Sequence, residues 1–284
     1  MEAIKTKVIK TAAQLESLQS ARAAFTEKGV SPRERRHEKI ILAVLWVYKF
    51  GYSSPFVINL ICGGKTHAFA HLLIKKGILV ATRTASGGAV LGVPAVMLTL
   101  SKIGLSLAVQ YAQVALEYQE DAYRINQDYL RHGILIQSLT AQRLIEGRIS
   151  GYITESERMV SEKSTGHKKQ HDIVWINKLG ERYGVEIELT GKWSHKLDHF
   201  VWSCVESLSP RAGAHQVIQV LIFTDADALV EHYKTAFKEG AEIKKWIQDK
   251  TTKKQVVSEK GKIDKETSQS IIIKNVIADK DKKK

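Results

Sequence analysis

Four residues in the second half of the chain carry charge in a pattern that could do chemistry: Asp172, Glu186, Glu188 and Lys192. In GVEIELTGK, residues 184–192, the glutamates alternate with Val185, Ile187 and Leu189. A strand there has one apolar face and one carboxylate face. HDIVWIN, residues 171–177, reads as a second strand, with the polar KLGERY as the turn between them. A hairpin centred near Gly180 sets position 172 opposite 188. Facing side chains in such a pair stand about 4.5–5.5 Å apart. Asp172 then lies beside Glu188, Glu186 is one step diagonal, and Lys192 joins that side if the strand continues past Gly191. Carboxylates so close raise one another's pKa, and a divalent cation relieves the repulsion. Hard oxygen donors suit Mg2+ or Mn2+. Either ion can polarise a phosphodiester and activate a water, and a neighbouring lysine can orient the nucleophile or offset charge on the phosphate. An arbitrary E-x-E pair is more often a wet strand face. The Asp on the adjacent strand, the following Lys and the basic chain around them favour a site.

The elements that must position these residues span 151–248. A charged helix near TESERMVSEK precedes the two strands. After them come an amphipathic helix, WSHKLDHFVWSCVESL, with Leu197, Phe200, Val201, Cys204, Val205 and Leu208 on one face, a buried strand in HQVIQVLIF (215–223), and a helix in DALVEHYKTAFKEG. The order predicts an α/β (α+β) unit, a small mixed sheet flanked by helices. Residues 249–284 are dominated by Lys, Thr, Ser and Asp and read as a basic, mostly disordered tail, with IIIKNVI as one short ordered or partner-binding patch.

Upstream, residues 1–30 read as a polar, Ala-rich helical lead-in. Residues 31–104 predict three helices and a β-hairpin, the order of a winged helix-turn-helix. Ser31-Pro32 with Glu34 and Ser54-Pro55 start two helices, GGKTHAFAHLLIKKG makes the third, and Ser86-Gly87-Gly88 marks the hairpin. The third helix would meet DNA with Lys65, Thr66, His67, His71, Lys75 and Lys76, and Arg83 would belong to the wing. Residues 105–150 predict a connector of two long helices. His132, at the start of the second, reads as a capping or packing residue; Tyr111, Tyr118, Tyr123 and Tyr129 read as packing residues, with a nucleophilic tyrosine as the alternative to the activated water that the acids favour.

The 284-residue chain has a formal net charge of +13 and a pI near 9.5, which favours nucleic acid or an anionic surface as partner. Cys62 and Cys204 sit in apolar runs and predict buried thiols, not a disulfide framework. The start has no apolar run fit for a signal peptide, and the most hydrophobic region, 88–109, is broken by Gly92, Pro94, Lys102 and Gly104. These features predict a cytoplasmic protein that does not span a membrane.

On D-(x13)-E-I-E-L-T-G-K followed by helix, strand and helix, the chain resembles the PD-(D/E)XK restriction-endonuclease fold. Coupled to an N-terminal winged helix, it looks like the MobC/TraX-type mobilization relaxases of conjugative and mobilizable plasmids, within the replication-relaxation family. The resemblance covers roughly residues 35–240 and is most specific in VEIELTGKWSHKLDHF. It implies metal-dependent nicking of one DNA strand at a plasmid origin of transfer, with Mg2+ or Mn2+ as cofactor and a relaxosome accessory protein and a coupling protein as partners. Asp172, Glu186 and Glu188 match the family's metal-binding acids, and Lys192 its lysine. Glu157 matches an acid from the preceding helix, with Glu155 competing. Two positions depart from the pattern: His171 stands where Pro is common before the Asp, and Glu188 where Lys is usual. The other readings are a non-catalytic DNA-binding replication or transcription regulator and a restriction-type endonuclease.

Overall fold

A computed structural model describes residues 31–64, 68–162, 171–249 and 253–276. Lys65, Thr66 and His67, the lead-in over 1–30 and the last residues of the tail lie outside these ranges. Helix α1 (Pro32–Phe50) starts on the expected capping box: Ser31 Oγ accepts from the Glu34 amide at 3.2 Å, and the Glu34 carboxylate accepts from the Ser31 amide at 2.7 Å. Helix α2 (Pro55–Ile61) has the simpler cap, Ser54 Oγ accepting from the Val57 amide. Helix α3 (Ala68–Lys75) follows, and then the antiparallel strands β1 (Leu79–Arg83) and β2 (Val96–Leu100). A bridge between Ser53 and Leu98 ties the α1–α2 connection to that pair. The hairpin loop is longer than a tight turn at 86–88. Two successive turns, Ala89 N to Ser86 O and Val93 N to Val90 O, occupy the chain before β2 begins.

The connector differs from the expected pair of long helices. Helix α4 (Lys102–Tyr111) ends early, at Ala112, whose backbone is extended. The chain beyond is held by side chains of other elements. The Tyr48 hydroxyl donates to Leu116 O at 3.0 Å and accepts from Leu116 N at 2.8 Å, and the Tyr118 hydroxyl accepts from Leu100 N at 2.7 Å. Asp121 and Asn126 then cap two single 3-10 turns, because short polar side chains divert the backbone from a continuous helix. Only α5 (Leu130–Ile145) is long.

The rest is mixed α/β. Strand β3 (Gly151–Thr154) leads into α6 (Glu155–Glu162), followed by β4 (Ile173–Ile176), β5 (Arg182–Glu188), α7 (Ser194–Leu208), β6 (Gln219–Thr224) and α8 (Asp227–Ala236). A hairpin of β7 (Glu242–Gln248) and β8 (Gln255–Lys262), a short α9 (Lys265–Gln269) and β9 (Ile271–Asn275) complete it. The main sheet has the order β3-β4-β5-β6-β9; β3, β4 and β5 are antiparallel neighbours, while β5–β6 and β6–β9 are parallel. Ile173, Val185, Ile187 and Phe223 pack on one face with Ile136 of α5. Val220, Ile222 and Ile271 pack on the other with Phe200, Cys204 and Tyr233 of α7 and α8. Both cysteines are buried thiols outside any disulfide.

The expected mostly disordered tail is corrected over 255–262, while IIIKNVI, expected as a short ordered patch, is ordered over Ile271–Asn275. Residues 255–262 pair with β7 in a backbone ladder although most of their side chains are exposed. IIIKN is a strand of the main sheet, beside β6. Composition hides the first, because a ladder needs only backbone partners. Among the described residues no helix is long and apolar enough to cross a membrane.

Candidate functional site

Asp172 precedes β4 and Glu188 ends β5, so both come to the same end of the sheet. The hairpin that sets them differs from expectation. Ile173 faces Val185 and Ile176 faces Arg182, so the loop centres on Leu179 and the register slides by two residues. Gly180, at φ 82°, occupies the left-handed last position of the loop, while Asn177 Oδ1 accepts from the amides of Leu179 and Glu181. A two-residue slide keeps every side chain on its face. Asp172 therefore still reaches the carboxylate end of β5, but its Oδ2 accepts from the Ile187 amide at 2.7 Å instead of standing opposite Glu188.

Each acid has a distinct partner. Glu186, 5% exposed, meets His171 Nδ1 at 2.7 Å. Glu188, 8% exposed, bonds through Oε1 to the Lys192 amine, while its Oε2 accepts from the Tyr233 hydroxyl at 3.4 Å. Asp172 Oδ2 also meets His132 Nε2 at 3.1 Å. Burial pushes the Glu188 carboxyl above the ordinary value, against the pull of Lys192 and with further push from Glu186 and Asp172. For His132, burial opposes the charged ring, but the Asp172 hydrogen bond and the charges of Asp172, Glu188 and Glu186 prevail and raise its pKa. The three carboxylates thus share one field. Burial and the Glu188 charge raise Tyr233.

Gly191 does not turn Lys192 away. The Lys192 amide donates to Tyr233 Oη at 3.3 Å, its carbonyl meets His232 Nε2 at 2.9 Å, and its Nζ lies 4.5 Å from the Phe200 ring centre. Glu157 is engaged with other partners. Its Oε2 accepts from the Thr154 amide and hydroxyl, and its Oε1 pairs with Lys49 at 2.7 Å, so it caps α6 and anchors it to α1. Glu155 is exposed in the same first turn. His71, Lys75 and Lys76 lie exposed on and just after α3, and Arg83 is exposed at the end of β1, its guanidinium over Gly87.

Sequence reasoning missed His132 and Tyr233 as members of the site and gave His171 no partner. His132 sits in the first turn of α5, and only tertiary packing brings it to Asp172. A histidine at position 171, beside the acid, was the one signal available. Its ring lies over Gly184, where a Cβ would stand 2.5 Å from Nε2. That buried Nε2 has no hydrogen-bond partner among the described residues.

In chemistry the donor set suits a hard divalent cation, since three carboxylates meet in a partly buried place. Their oxygens are already engaged, and among the described residues no three His, Cys, Asp or Glu side chains stand arranged to hold a metal ion. A cation bound by Asp172, Glu186 and Glu188 would take over oxygens that His132, His171 and Lys192 now hold. Compared with known protein families, with curated proteins and with solved structures, the chain matches none.

Proposed function

We propose that the protein is a metal-dependent DNA strand-cleaving enzyme, a nickase of the plasmid-mobilization relaxase type acting at an origin of transfer. The observation that carries this reading is the convergence of Asp172, Glu186 and Glu188 at one end of β4 and β5, with Lys192 bonded to Glu188. Support comes also from the strand order, three antiparallel strands followed by a parallel fourth reached through α7, which agrees with a PD-(D/E)XK core. Asp172, Glu186 and Glu188 would hold Mg2+ or Mn2+, which when bound polarises the phosphodiester and activates water. Lys192 neutralises Glu188 and lies within reach of phosphate charge. His132 meets Asp172 Oδ2 at 3.1 Å, and against the effect of burial the acids raise the pKa of its ring. The three helices and the hairpin over 32–100, a winged helix in this reading, would seat the enzyme on duplex DNA through His71, Lys75, Lys76 and Arg83.

A second reading is a DNA-binding replication or transcription regulator that keeps the fold without the chemistry. It is favoured by the internal pairing of the acids. One assay separates them. Supercoiled plasmid carrying the cognate origin region is incubated with protein, with and without Mn2+. Open-circle product that requires Mn2+ and disappears in Asp172→Ala and Glu188→Ala is the expected result. Binding without strand breakage overturns the nickase in favour of the regulator, and linear product points to a double-strand endonuclease.

A further inference from the structure

Trp193 follows Lys192 directly and is 66% exposed, among the most exposed large aromatic side chains of the described residues. It is the N-cap residue of α7 and makes no side-chain capping bond. Ser, Thr, Asp or Asn would serve the helix better there. The backbone is nevertheless shaped to hold the indole in place. Ser194 adopts φ 50°, a left-handed conformation uncommon for a non-glycine residue. Gly191 leaves the ring room, since a Cβ there would stand 3.0 Å from Trp193 Nε1. On its other side the indole packs on His232, ring centres 4.2 Å apart and inclined at 45°. His232 in turn bonds the Lys192 carbonyl, and the adjoining Tyr233 hydroxyl bonds Glu188. An aromatic plate thus stands next to Lys192 of the carboxylate site, packed on His232 and with much of its surface in water.

The residues beyond it extend the surface in one direction. His195, Lys196 and His199 are exposed on the first turns of α7. His195 touches the Trp246 ring edge-on, and Trp246 Nε1 donates to Asp198 at 2.8 Å, so the lysine-bearing ribbon of β7 and β8 borders the same helix. A plate beside buried acids repels free anions but accepts a neutral, flat, π-rich group, and the flanking cations suit the phosphates attached to it.

We propose that Trp193 is a stacking platform for an unpaired nucleobase next to the reacting phosphodiester, with the α7 and β7–β8 cations tracking the single strand beyond it. The identity of the ligand rests on the strand-cleavage reading above, and the geometry of the platform does not. Stacking of one base on an aromatic side chain is worth about 5- to 150-fold in affinity.

The test uses full-length protein without metal and single-stranded oligonucleotides carrying 2-aminopurine at successive positions. Wild-type protein and Trp193→Phe are expected to quench one or two adjacent positions. Trp193→Ala is expected to lose that quenching and to bind at least about fivefold more weakly, with an unchanged melting temperature because the side chain is exposed. Asp172→Ala should still quench. Quenching in wild type combined with no nicking leaves the platform standing and sinks the nickase. Nicking with Trp193→Ala indistinguishable from wild type in quenching and affinity does the reverse. Wild-type protein that quenches no position overturns the platform.

Discussion

Glu188 is buried between a lysine amine and a tyrosine hydroxyl, and His132 is pressed against Asp172 within the field of the same three acids. Both groups are raised, from 4.5 for Glu188 and from 6.5 for His132. The consequences for stability have one sign. Below 4.5 Glu188 is protonated folded and unfolded, and its contribution is fully present. As pH rises through its higher folded value, the unfolded chain ionises first and stability is lost. His132 contributes fully below 6.5, and that contribution is lost as pH rises through its raised folded value. The metal-free protein should therefore lose stability as pH rises from 4.5 through the raised value of Glu188, and again from 6.5 through the raised value of His132. Melting temperatures across that window check it. Glu188→Gln should flatten the lower part of the decline and His132→Gln the upper part; a decline of the same steepness in both variants would place its origin elsewhere.

At the scale of elements, the carboxylate end of β5 depends on a missing side chain. The His171 ring occupies the space above Gly184, where three of its atoms lie 2.5–2.7 Å from the place a Cβ would take. The ring is 3% exposed and bonded to Glu186, so it cannot swing aside without breaking that bond. Gly184→Ala should cost about 1–3 kcal/mol, as overpacking does, and denaturant unfolding measures it. Adding His171→Ala should remove most of the cost introduced by Gly184→Ala, since neighbours in contact are not additive; equal costs in both backgrounds would contradict the clash. The same hairpin shows what was legible beforehand. Alternation in GVEIELT gave the strand and the face of Glu186 and Glu188, because side-chain period is a local property. The register was misjudged by two because Gly180 marks the left-handed end of the loop, not its centre. The capping box of α1 and the Ser54 cap of α2 were also readable. The break after Tyr111 was not, because the groups holding the chain there, Tyr48 and Leu100, are remote in sequence.

At the scale of the whole molecule, two elements join what the sequence presents as separate parts. Helix α5 belongs to two cores at once. Ile134 and Ala141 pack with α1 and α2, Ile136 packs under the main sheet, and Gln137 accepts from Trp46 Nε1 at 3.0 Å while donating to the Tyr52 carbonyl. On its other side, Thr140 accepts from Trp175 Nε1 of β4 at 2.9 Å. The site inherits this arrangement, since His132 rides on the helix that carries both cores. The second joining element is β9. Its partner β6 lies beside β5, so a strand from the lysine-rich end of the chain supports the strand next to Glu186 and Glu188. Ile271 is 8% exposed and Ile263, before α9, is 2% exposed. A chain ending at Asp249 loses both side chains and bares the backbone edge of β6, a template for association. Were the tail a solvated appendage, that truncation would leave the melting temperature unchanged and weaken only salt-sensitive DNA binding. The strand pairing gives a different expectation: the truncated protein loses cooperative thermal unfolding or aggregates, and Ile271→Ala in the full chain costs about 2–4 kcal/mol. Circular dichroism melts of the three proteins decide between the two. A truncated chain that melts with the full-length protein would remove β9 from the fold, and with it the support of the carboxylate strand.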